Sequence, residues 1–361
     1  MIIRVICVFF MLIELADAAL LVEDYPPVPA TKITGVKSKT SMPFLPFFSG
    51  TNDIEKKAAA KINEILFLTK LSRPPLKASD SMKPLYDNIS SIEEVDDVSS
   101  SGDYSYEVLR NDEKVISVNL HEESCAASCG TNNYHYNFDA RTGRYIHVSS
   151  LFTRSGLQKV SSILIKEWAA DIRNDAAGDE LSEEMVKECI SNMRTNYNQN
   201  TPYTGYDFVI DKGGINFVGA YCTKIVSNYP AALSYKKISN LLSAYGKSLF
   251  SNDASIEQPV QPFGQIFEGV IGEKYPIKMA LIEPYPSAGY LEGYYLYKKY
   301  NKPIRISGTY TNGVLVLQET DATAKPTGPK ITAFPTANGF SGYWDGNNKK
   351  LKFSVVIDEA K

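Results

Sequence analysis

Residues 133–152 read NYHYNFDARTGRYIHVSSLF, and this stretch decides the fold of the region around it. Tyr134, Tyr136 and Phe138 alternate with polar residues, which is the period of a half-buried β-strand. The turn that follows ends in Gly143, which is free to adopt the positive φ that most hairpins need. The stretch therefore predicts a strand, a tight turn, a second strand and the approach to a helix.

The composition of the 361-residue chain narrows the class of protein. The sequence is 43% hydrophobic and 22% charged, and its length predicts two domains, each able to bury a core. The counts of 23 Tyr and 16 Phe against 2 Trp favour β-rich structure, although tyrosine is also common on binding surfaces. The net charge is −3 and no run of five Lys or Arg occurs, so nucleic acid is not an expected partner.

The first 18 residues have the features of a secretory signal peptide. Arg4 supplies a positive charge, Val5–Leu15 is apolar apart from Glu14, and Ala16–Ala18 has the A-x-A cleavage pattern. The apolar stretch is too short for a transmembrane helix, and no later segment reaches about 18 consecutive apolar residues. We therefore predict a protein without an integral membrane segment, cleaved after Ala18 and either periplasmic or secreted.

Export would place the remaining cysteines in an oxidising compartment. The mature chain keeps Cys125, Cys129, Cys189 and Cys222, and an even number there suggests two disulfides with three possible connectivities. The favoured pairing joins Cys125 to Cys129 and Cys189 to Cys222. A zinc site is not favoured, because the C-x3-C spacing has no matching histidine or second close cysteine pair. No cofactor is predicted.

Changes in residue pattern divide the chain into five segments. They are a signal peptide (1–18), a proline-rich extended leader (19–52), an α+β domain (53–250), a polar linker (251–262) and an all-β domain (263–361). In the leader, we expect Phe44, Leu45, Phe47 and Phe48 to dock on the folded body.

Periodicity predicts the elements of the α+β domain. Helices are expected at 52–71, 155–173, 181–196 and 235–245, and strands at 104–109, 115–120, 206–210, 215–218 and 226–233. The first helix has the candidate caps Asn52 and Asp53 and the apolar stripe Ile54, Ala58, Ile62, Ile65 and Leu66. Residues 124–133 are expected to form a loop.

The all-β domain shows short apolar strands at regular spacing. Strands are expected at 277–282, 290–297, 304–310, 314–318 and 351–357, with turns at Gly289, Asn312-Gly313 and Asp345-Gly346. Such a pattern predicts an up-and-down barrel or a sandwich. Alternation within the cluster Tyr290, Tyr294, Tyr295, Tyr297 and Tyr300 puts Tyr295 and Tyr297 on one face and Tyr294 on the other, so one set should be core and the other exposed.

Six short motifs of the α+β domain occur in a defined order. They are Ala60–Asn63, Val115–Val118, Asn137–Gly143, Ser149–Phe152, Asp211–Phe217 and Leu233–Ile238. Together they resemble the extracytoplasmic domain shared by RsiV-type anti-sigma factors and PdaC-type peptidoglycan deacetylases, over residues 53–247. The resemblance implies helices packed on one antiparallel sheet. In the first family this domain senses lysozyme by direct binding, and in the second it lies beside a separate catalytic domain.

The chain also departs from these two families. Related chains often carry a Gly-Gly-Ala-His-type loop where this chain has Ser128–Asn133, so lysozyme binding does not transfer residue by residue. No transmembrane helix or sigma-binding segment precedes the domain, and the H-x3-H metal pattern of the deacetylase is missing. Neither an anti-sigma role nor deacetylation is therefore expected.

Histidines offer little catalytic or metal chemistry. His121, His135 and His147 are the three histidines of the chain, and His135 is expected on the exposed face of its strand. His147 could pair across from His135, which leaves a two-histidine metal site as an alternative to the more common solvated histidines.

Motifs for other catalytic chemistries are also missing from the sequence. The chain contains no G-x-S-x-G, Walker-type or G-x-G-x-x-G pattern. A carboxylate pair of the kind that glycosidases use is harder to exclude, since folding alone brings it together. Glu122, Glu123 and Asp139 are expected near one another in the sheet.

The leading functional hypothesis is a non-enzymatic, exported binding protein of the bacterial envelope. It would recognise peptidoglycan, as a cell-wall component, or a wall-degrading enzyme such as lysozyme. The candidate binding surface comprises Thr131, Asn132, Asn133, Tyr134 and Tyr136, because a braced loop beside tyrosines makes contacts at low entropic cost. The alternatives are a glycan hydrolase acting on peptidoglycan through a folded carboxylate pair, and an assembly partner of envelope proteins. The oligomeric state is unknown from sequence.

Overall fold

The computed structural model describes most of the chain after residue 19. The described residues are 20–24, 45–71, 104–125, 129–176, 182–196, 207–218, 230–250, 263–285, 290–321 and 325–358. The predicted signal peptide, its cleavage site, Phe44 and the linker lie outside these ranges.

The first part of the chain is α+β, as predicted. Its strands are β1 (Leu21–Asp24), β2 (Pro46–Ser49), β3 (Tyr104–Asn111), β4 (Val115–Cys125), β5 (Cys129–Asp139), β6 (Arg144–Tyr145), β7 (Phe208–Ile210), β8 (Gly214–Phe217) and β9 (Ala231–Ser234). Its helices are α1 (Asp53–Leu71), α2 (Val148–Leu151), α3 (Arg154–Ala176), α4 (Glu183–Asn196), α5 (Tyr235–Ile238) and α6 (Ala244–Phe250). The strands form separate sheets in the orders β1-β2, β3-β4-β5-β6 and β7-β8-β9.

The stretch that decides the fold behaves as its pattern predicts. β5 and β6 pair as an antiparallel hairpin, and Gly143 in the connecting turn has φ 71°. A side chain at Gly143 would also clash with the backbone oxygen of Ala58 in α1. Two separate features of the turn therefore require glycine at position 143: its positive φ and the close approach of α1.

Helix α1 begins with the predicted asparagine cap. Asn52 Oδ1 accepts a hydrogen bond from Glu55 N at 3.0 Å, and the Glu55 carboxylate accepts one from Thr51 N at 2.8 Å. This reciprocal arrangement resembles a capping box. The rest of the predicted stripe is buried, but Ile54 is 70% exposed, because the first turn of α1 extends into solvent before the helix meets the sheet.

The two described parts of the leader, residues 20–24 and 45–52, contain strands that its composition does not predict. β1 and β2 pair antiparallel, and Leu45 and Phe48 are buried against α1. Asn63 of α1 holds this ribbon, since its Oδ1 accepts from Phe48 N and its Nδ2 donates to Phe48 O, both at 2.8 Å. Docking by Leu45, Phe47 and Phe48 is confirmed, whereas the two strands were not predicted.

Three local predictions are wrong. Residues 124–125 and 129–133 do not form a loop, because they continue β4 and β5 as a long ribbon. The helix expected at 235–245 is divided into α5 and α6 by a turn. Asp345-Gly346 remains in a strand, and the turn lies one step later at Asn347 and Asn348, whose φ values of 52° and 59° suit a type I′ turn.

The second part of the chain is a closed antiparallel barrel of eight strands. They are β10 (Gln265–Ile271), β11 (Tyr275–Tyr285), β12 (Tyr290–Tyr297), β13 (Pro303–Thr311), β14 (Val314–Thr320), β15 (Pro326–Thr336), β16 (Gly339–Gly346) and β17 (Lys349–Ile357). Each strand pairs with the next, and β17 closes on β10. Of the two predicted architectures, the barrel is therefore the one that forms, and its interior is filled mainly by apolar side chains.

The barrel packs against the first part of the chain through one side of its wall. Ile266, Ala280 and Ile282 share a buried cluster with α1 and β4. At this contact, Lys278 Nζ lies 2.6 Å from Glu64 Oε2 of α1. Tyr294 is half-buried here rather than exposed, because the outward face of β12 is covered by the neighbouring domain.

A membrane-spanning helix is not found in the described ranges, where no helix combines the length and apolar character needed to cross a bilayer.

Candidate ligand site in the mouth of the barrel

One end of the barrel carries a cavity, which we call the barrel mouth. It lies where the connections β10–β11, β12–β13 and β16–β17 meet, and its volume is about 230 Å³. Its lining residues are Ile271, Tyr275, Tyr297, Tyr300, Trp344, Asn347, Lys349 and Leu351. Four aromatic rings, two aliphatic side chains and two polar groups therefore surround it.

The tyrosines of the mouth pack around Tyr297. The ring centroid of Tyr297 lies 6.2 Å from that of Tyr275, 5.6 Å from that of Tyr295 and 6.4 Å from that of Tyr300, with interplanar angles of 78°, 73° and 81°. Edge-to-face packing of this kind is favourable and fixes ring orientations. Tyr275 and Tyr300 are 51% and 68% exposed, so their rings remain available to a ligand.

A carboxylate lies behind this aromatic wall. Glu319 follows Leu315 and Leu317 on the inward face of β14, next to an irregularity in the pairing of β14 with β15. The hydroxyl of Tyr295 donates a hydrogen bond to Glu319 Oε1. Burial raises the pKa of Glu319, and the hydrogen bond from Tyr295 opposes that rise by stabilising the ionised form.

Hydrogen bonds connect the cavity wall to this carboxylate. Tyr297, which lines the cavity, is hydrogen-bonded through its side chain to Tyr295, and Tyr295 is bonded to Glu319. Burial raises the pKa values of both tyrosines, so both stay protonated at neutral pH. Trp344 Nε1 is buried and has no hydrogen-bond partner among the described residues. Glu319 therefore supports the Tyr295–Tyr297 side of the mouth from behind without lining the cavity.

The surface predicted from sequence is divided by the sheet. Thr131, Asn132 and Asn133 are exposed near the end of the β4–β5 ribbon. Tyr134 and Tyr136 are half-buried and pack on the cluster that contains α1. Burial raises the pKa of Tyr136 well above its ordinary value. The two tyrosines therefore help to build the core, while the three polar residues face solvent.

The two histidines of the alternative metal site have different partners. The side chain of His135 is 9% exposed and its Nδ1 lies 2.7 Å from Asp207 Oδ2, so its predicted exposure is wrong: Asp207, which directly precedes β7, covers that face. His147 is buried and caps α2, with Nδ1 3.3 Å from Ser149 N, and burial lowers its pKa to about 3. In the described part of the chain, no group of three or more His, Cys, Asp or Glu could hold a metal ion.

The predicted carboxylate cluster is also separated. Asp139 is fully buried and pairs with Arg141 at 2.9 Å. Asp139 lies opposite Val115, whereas Glu122 lies opposite Asn132 at the other end of the ribbon. Seven residues of strand separate them, which corresponds to about 23 Å.

The cysteine predictions are compatible with the described backbone. Cys125 lies directly opposite Cys129 at the end of the ribbon, and a facing antiparallel pair has the Cα separation that a disulfide needs. Cys189 is buried and disulfide-bonded, and its partner lies outside the residues described in side-chain detail. The pairing of Cys189 with Cys222 stays a prediction.

Sequence reasoning identified the tyrosine cluster but missed Glu319 and Trp344. The available signal was the alternation of Leu315, Leu317 and Glu319, which places an acid on the apolar side of a strand. Such a position inside a small barrel is costly for a charge, and it therefore marks a candidate site.

The solved structures similar to this chain include two proteins of the DUF3298 family. One, from Bacteroides fragilis, is 14% identical with a TM-score of 0.40, and the match covers 63% of this chain and 96% of the other. The second, from Pseudomonas aeruginosa, is 12% identical with a TM-score of 0.34, covering 65% and 95%. No protein-family model and no curated protein matches the chain. At these scores the likeness supports no inference about function, and the RsiV/PdaC resemblance stays a prediction.

Proposed function

We propose that this chain is an exported, non-enzymatic binding protein of the bacterial envelope whose barrel mouth holds a sugar unit of the cell wall. The observation that carries the proposal is the aromatic lining of the mouth. Rings of Tyr275, Tyr297, Tyr300 and Trp344 surround a cavity that also presents Asn347 and Lys349. Flat aromatic faces suit the C–H faces of a sugar ring, and the two polar side chains can bond its hydroxyl groups.

The size of the mouth favours part of a polymer over a large free ligand. Drug-sized ligands occupy pockets of roughly 300–1,000 Å³. A cavity of about 230 Å³ is smaller, so it would accept one ring while the rest of the ligand stays in solvent. The terminal sugar of a glycan chain could enter the cavity in this way, with the rest of the chain in solvent.

The absence of an acid from the lining supports binding over hydrolysis. Glycoside hydrolysis needs two carboxyl groups that contact the scissile bond. Glu319 lies behind Tyr295 and does not line the cavity. Glu122 and Asp139 are far apart, so the particular cluster that suggested a hydrolase is not available.

Calorimetric titration of the mature chain with N-acetylglucosamine–N-acetylmuramic acid disaccharide tests the proposal. We expect saturable binding that Tyr297→Ala weakens at least tenfold, because the wall of the mouth is built around that ring. Tyr343→Ala is the matched control, since Tyr343 precedes Trp344 in β16 but is 46% exposed on the outer face.

Three results would overturn the proposal. The first is equal weakening by both variants, and the second is release of cleaved sugar, which would favour the hydrolase. The third is retention on immobilised lysozyme without sugar binding, weakened by changes at Thr131–Asn133, which would favour a protein partner at the exposed ribbon.

A further inference from the structure

The charged residues around the barrel mouth are distributed unevenly. The four connections at this end carry five exposed lysines and two acids, Glu273 and Asp321, and a sixth exposed lysine, Lys349, begins β17 directly after the fourth connection. The lysines are Lys274, Lys298, Lys299, Lys302, Lys325 and Lys349. Because three connections contribute at least one lysine and Lys349 adjoins the fourth, these residues surround the opening, and we call them the lysine rim.

The opposite end of the barrel shows that this is not a general property of the domain. Its connections, residues 286–289, 312–313 and 337–338, contain no charged residue. The chain as a whole carries a net charge of −3, so a basic rim is a local departure from its overall charge. A rim of one sign around an opening attracts ligands of the opposite sign.

Two of these lysines adjoin the cavity itself. Lys349 lines it, and Lys299 Nζ lies 5.3 Å from the centroid of the Tyr300 ring. Lys298 is less available, because its Nζ pairs with Glu268 at 2.8 Å. A ring stacked on Tyr300 would therefore have ammonium groups beside it, while the half-buried acid Glu319 lies behind the wall.

We propose that the barrel mouth selects saccharides that carry an acidic group, a carboxylate or a phosphate, beside the stacked ring. This inference rests on the proposed function, because it names the class of sugar that the same site takes. Lys299, Lys302 and Lys349 would bind the acidic group, and the aromatic rings would bind the sugar. A point charge on a lysine suits either kind of anion, so the rim alone does not distinguish them.

Paired titrations of the mature chain test the inference. The acidic probe is N-acetylglucosamine–N-acetylmuramic acid, and its neutral partner is the N-acetylglucosamine disaccharide. A second pair, N-acetylglucosamine-6-phosphate and N-acetylglucosamine, tests phosphate against no charge. We expect the acidic member of at least one pair to bind about tenfold more tightly at low ionic strength. The preference should fall below about twofold in 1 M salt, where the Debye length is about 3 Å.

A charge-matched control separates the rim from overall charge. The triple variant K299Q/K302Q/K349Q should bring the acidic-to-neutral affinity ratio close to one. The control K159Q/K166Q/K212Q removes the same charge from exposed positions of the first domain and should leave the ratio unchanged. Equal affinity for acidic and neutral sugars, or an equal effect of both triples, overturns the inference and leaves the proposed function standing. Failure of all four sugars to bind overturns both.

Discussion

Replacement of Asn137 by alanine should destabilise the first domain, because this side chain joins two sheets. Asn137 Nδ2 donates to Phe208 O at 2.7 Å, and Asn137 Oδ1 accepts from Ile210 N at 3.0 Å and from Ser117 Oγ at 2.8 Å. All four residues are buried. The side-chain amide of Asn137 therefore makes hydrogen bonds to the backbone groups at the free edge of β7, as a neighbouring strand would.

The size of the effect follows from the groups that lose a partner. Ser117 keeps a second bond to Ile210 O at 2.8 Å, so two backbone groups are left unsatisfied. Each unsatisfied buried group costs about 1–3 kcal/mol, so two of them predict a loss of roughly 2–6 kcal/mol. The total free energy of unfolding of a domain is only about 5–15 kcal/mol, so the melting temperature of the variant should lie roughly 10 °C below that of the parent chain.

Urea unfolding followed by circular dichroism measures this loss, and hydrogen exchange reports it locally at the Ile210 amide. Asn132→Ala is the control, because Asn132 is exposed in the same strand and should change stability by less than about 0.5 kcal/mol. A loss under 1 kcal/mol for Asn137→Ala, or unchanged exchange at the Ile210 amide, would show that Asn137 does not join the two sheets.

Three further changes test other parts of the fold. Gly143→Ala should lower the free energy of unfolding by about 2 kcal/mol or more, because the φ of 71° and the backbone of Ala58 both oppose a side chain. Thermal denaturation measures this loss, and an unchanged stability contradicts the prediction. Lys278→Met should lower the free energy of unfolding by about 3 kcal/mol at pH 7, because it leaves buried Glu64 unpaired. The loss should shrink as the pH falls and Glu64 becomes protonated. A loss that does not depend on pH argues against this ion pair. Glu319→Gln should stabilise the barrel at pH 7. Folding raises the pKa of Glu319 above its ordinary value of 4.5, so the parent chain loses stability as the pH rises from 4.5 through the pKa of the folded state. The stability advantage of Glu319→Gln should therefore vanish below pH 4. A variant less stable than the parent chain at pH 7 would contradict this.

Local pattern was enough to predict the two-part architecture. The alternation around Phe138, the glycine at 143 and the apolar stripe of α1 each depend on near neighbours, and the structure confirms these elements. Asn312-Gly313 is a similar case, with φ values of 53° and 75° at its turn. Such signals need no knowledge of distant residues.

Features set by distant contacts were not predictable in the same way. β10 closes the barrel by pairing with β17, for example Phe267 with Ile357, across 90 residues of sequence. β15 and β16 are rich in Pro, Gly and Thr and lack the apolar run that marks a strand. The burial of His135 depends on Asp207, which lies 72 positions away. The rim of lysines appears only when four separate connections meet.

The most direct test of the barrel mouth as a ligand site uses the two tryptophans of the chain. Trp344 lines the mouth, whereas Trp168 is 1% exposed in the core of the first domain, so the two indole N–H resonances report on separate places. A ¹⁵N correlation spectrum recorded during titration with the acidic disaccharide should show a saturable shift of the Trp344 signal, assigned by Trp344→Phe, and a stationary Trp168 signal. If the Trp344 resonance stays in place while the sugar binds, the ligand lies elsewhere and the account is wrong.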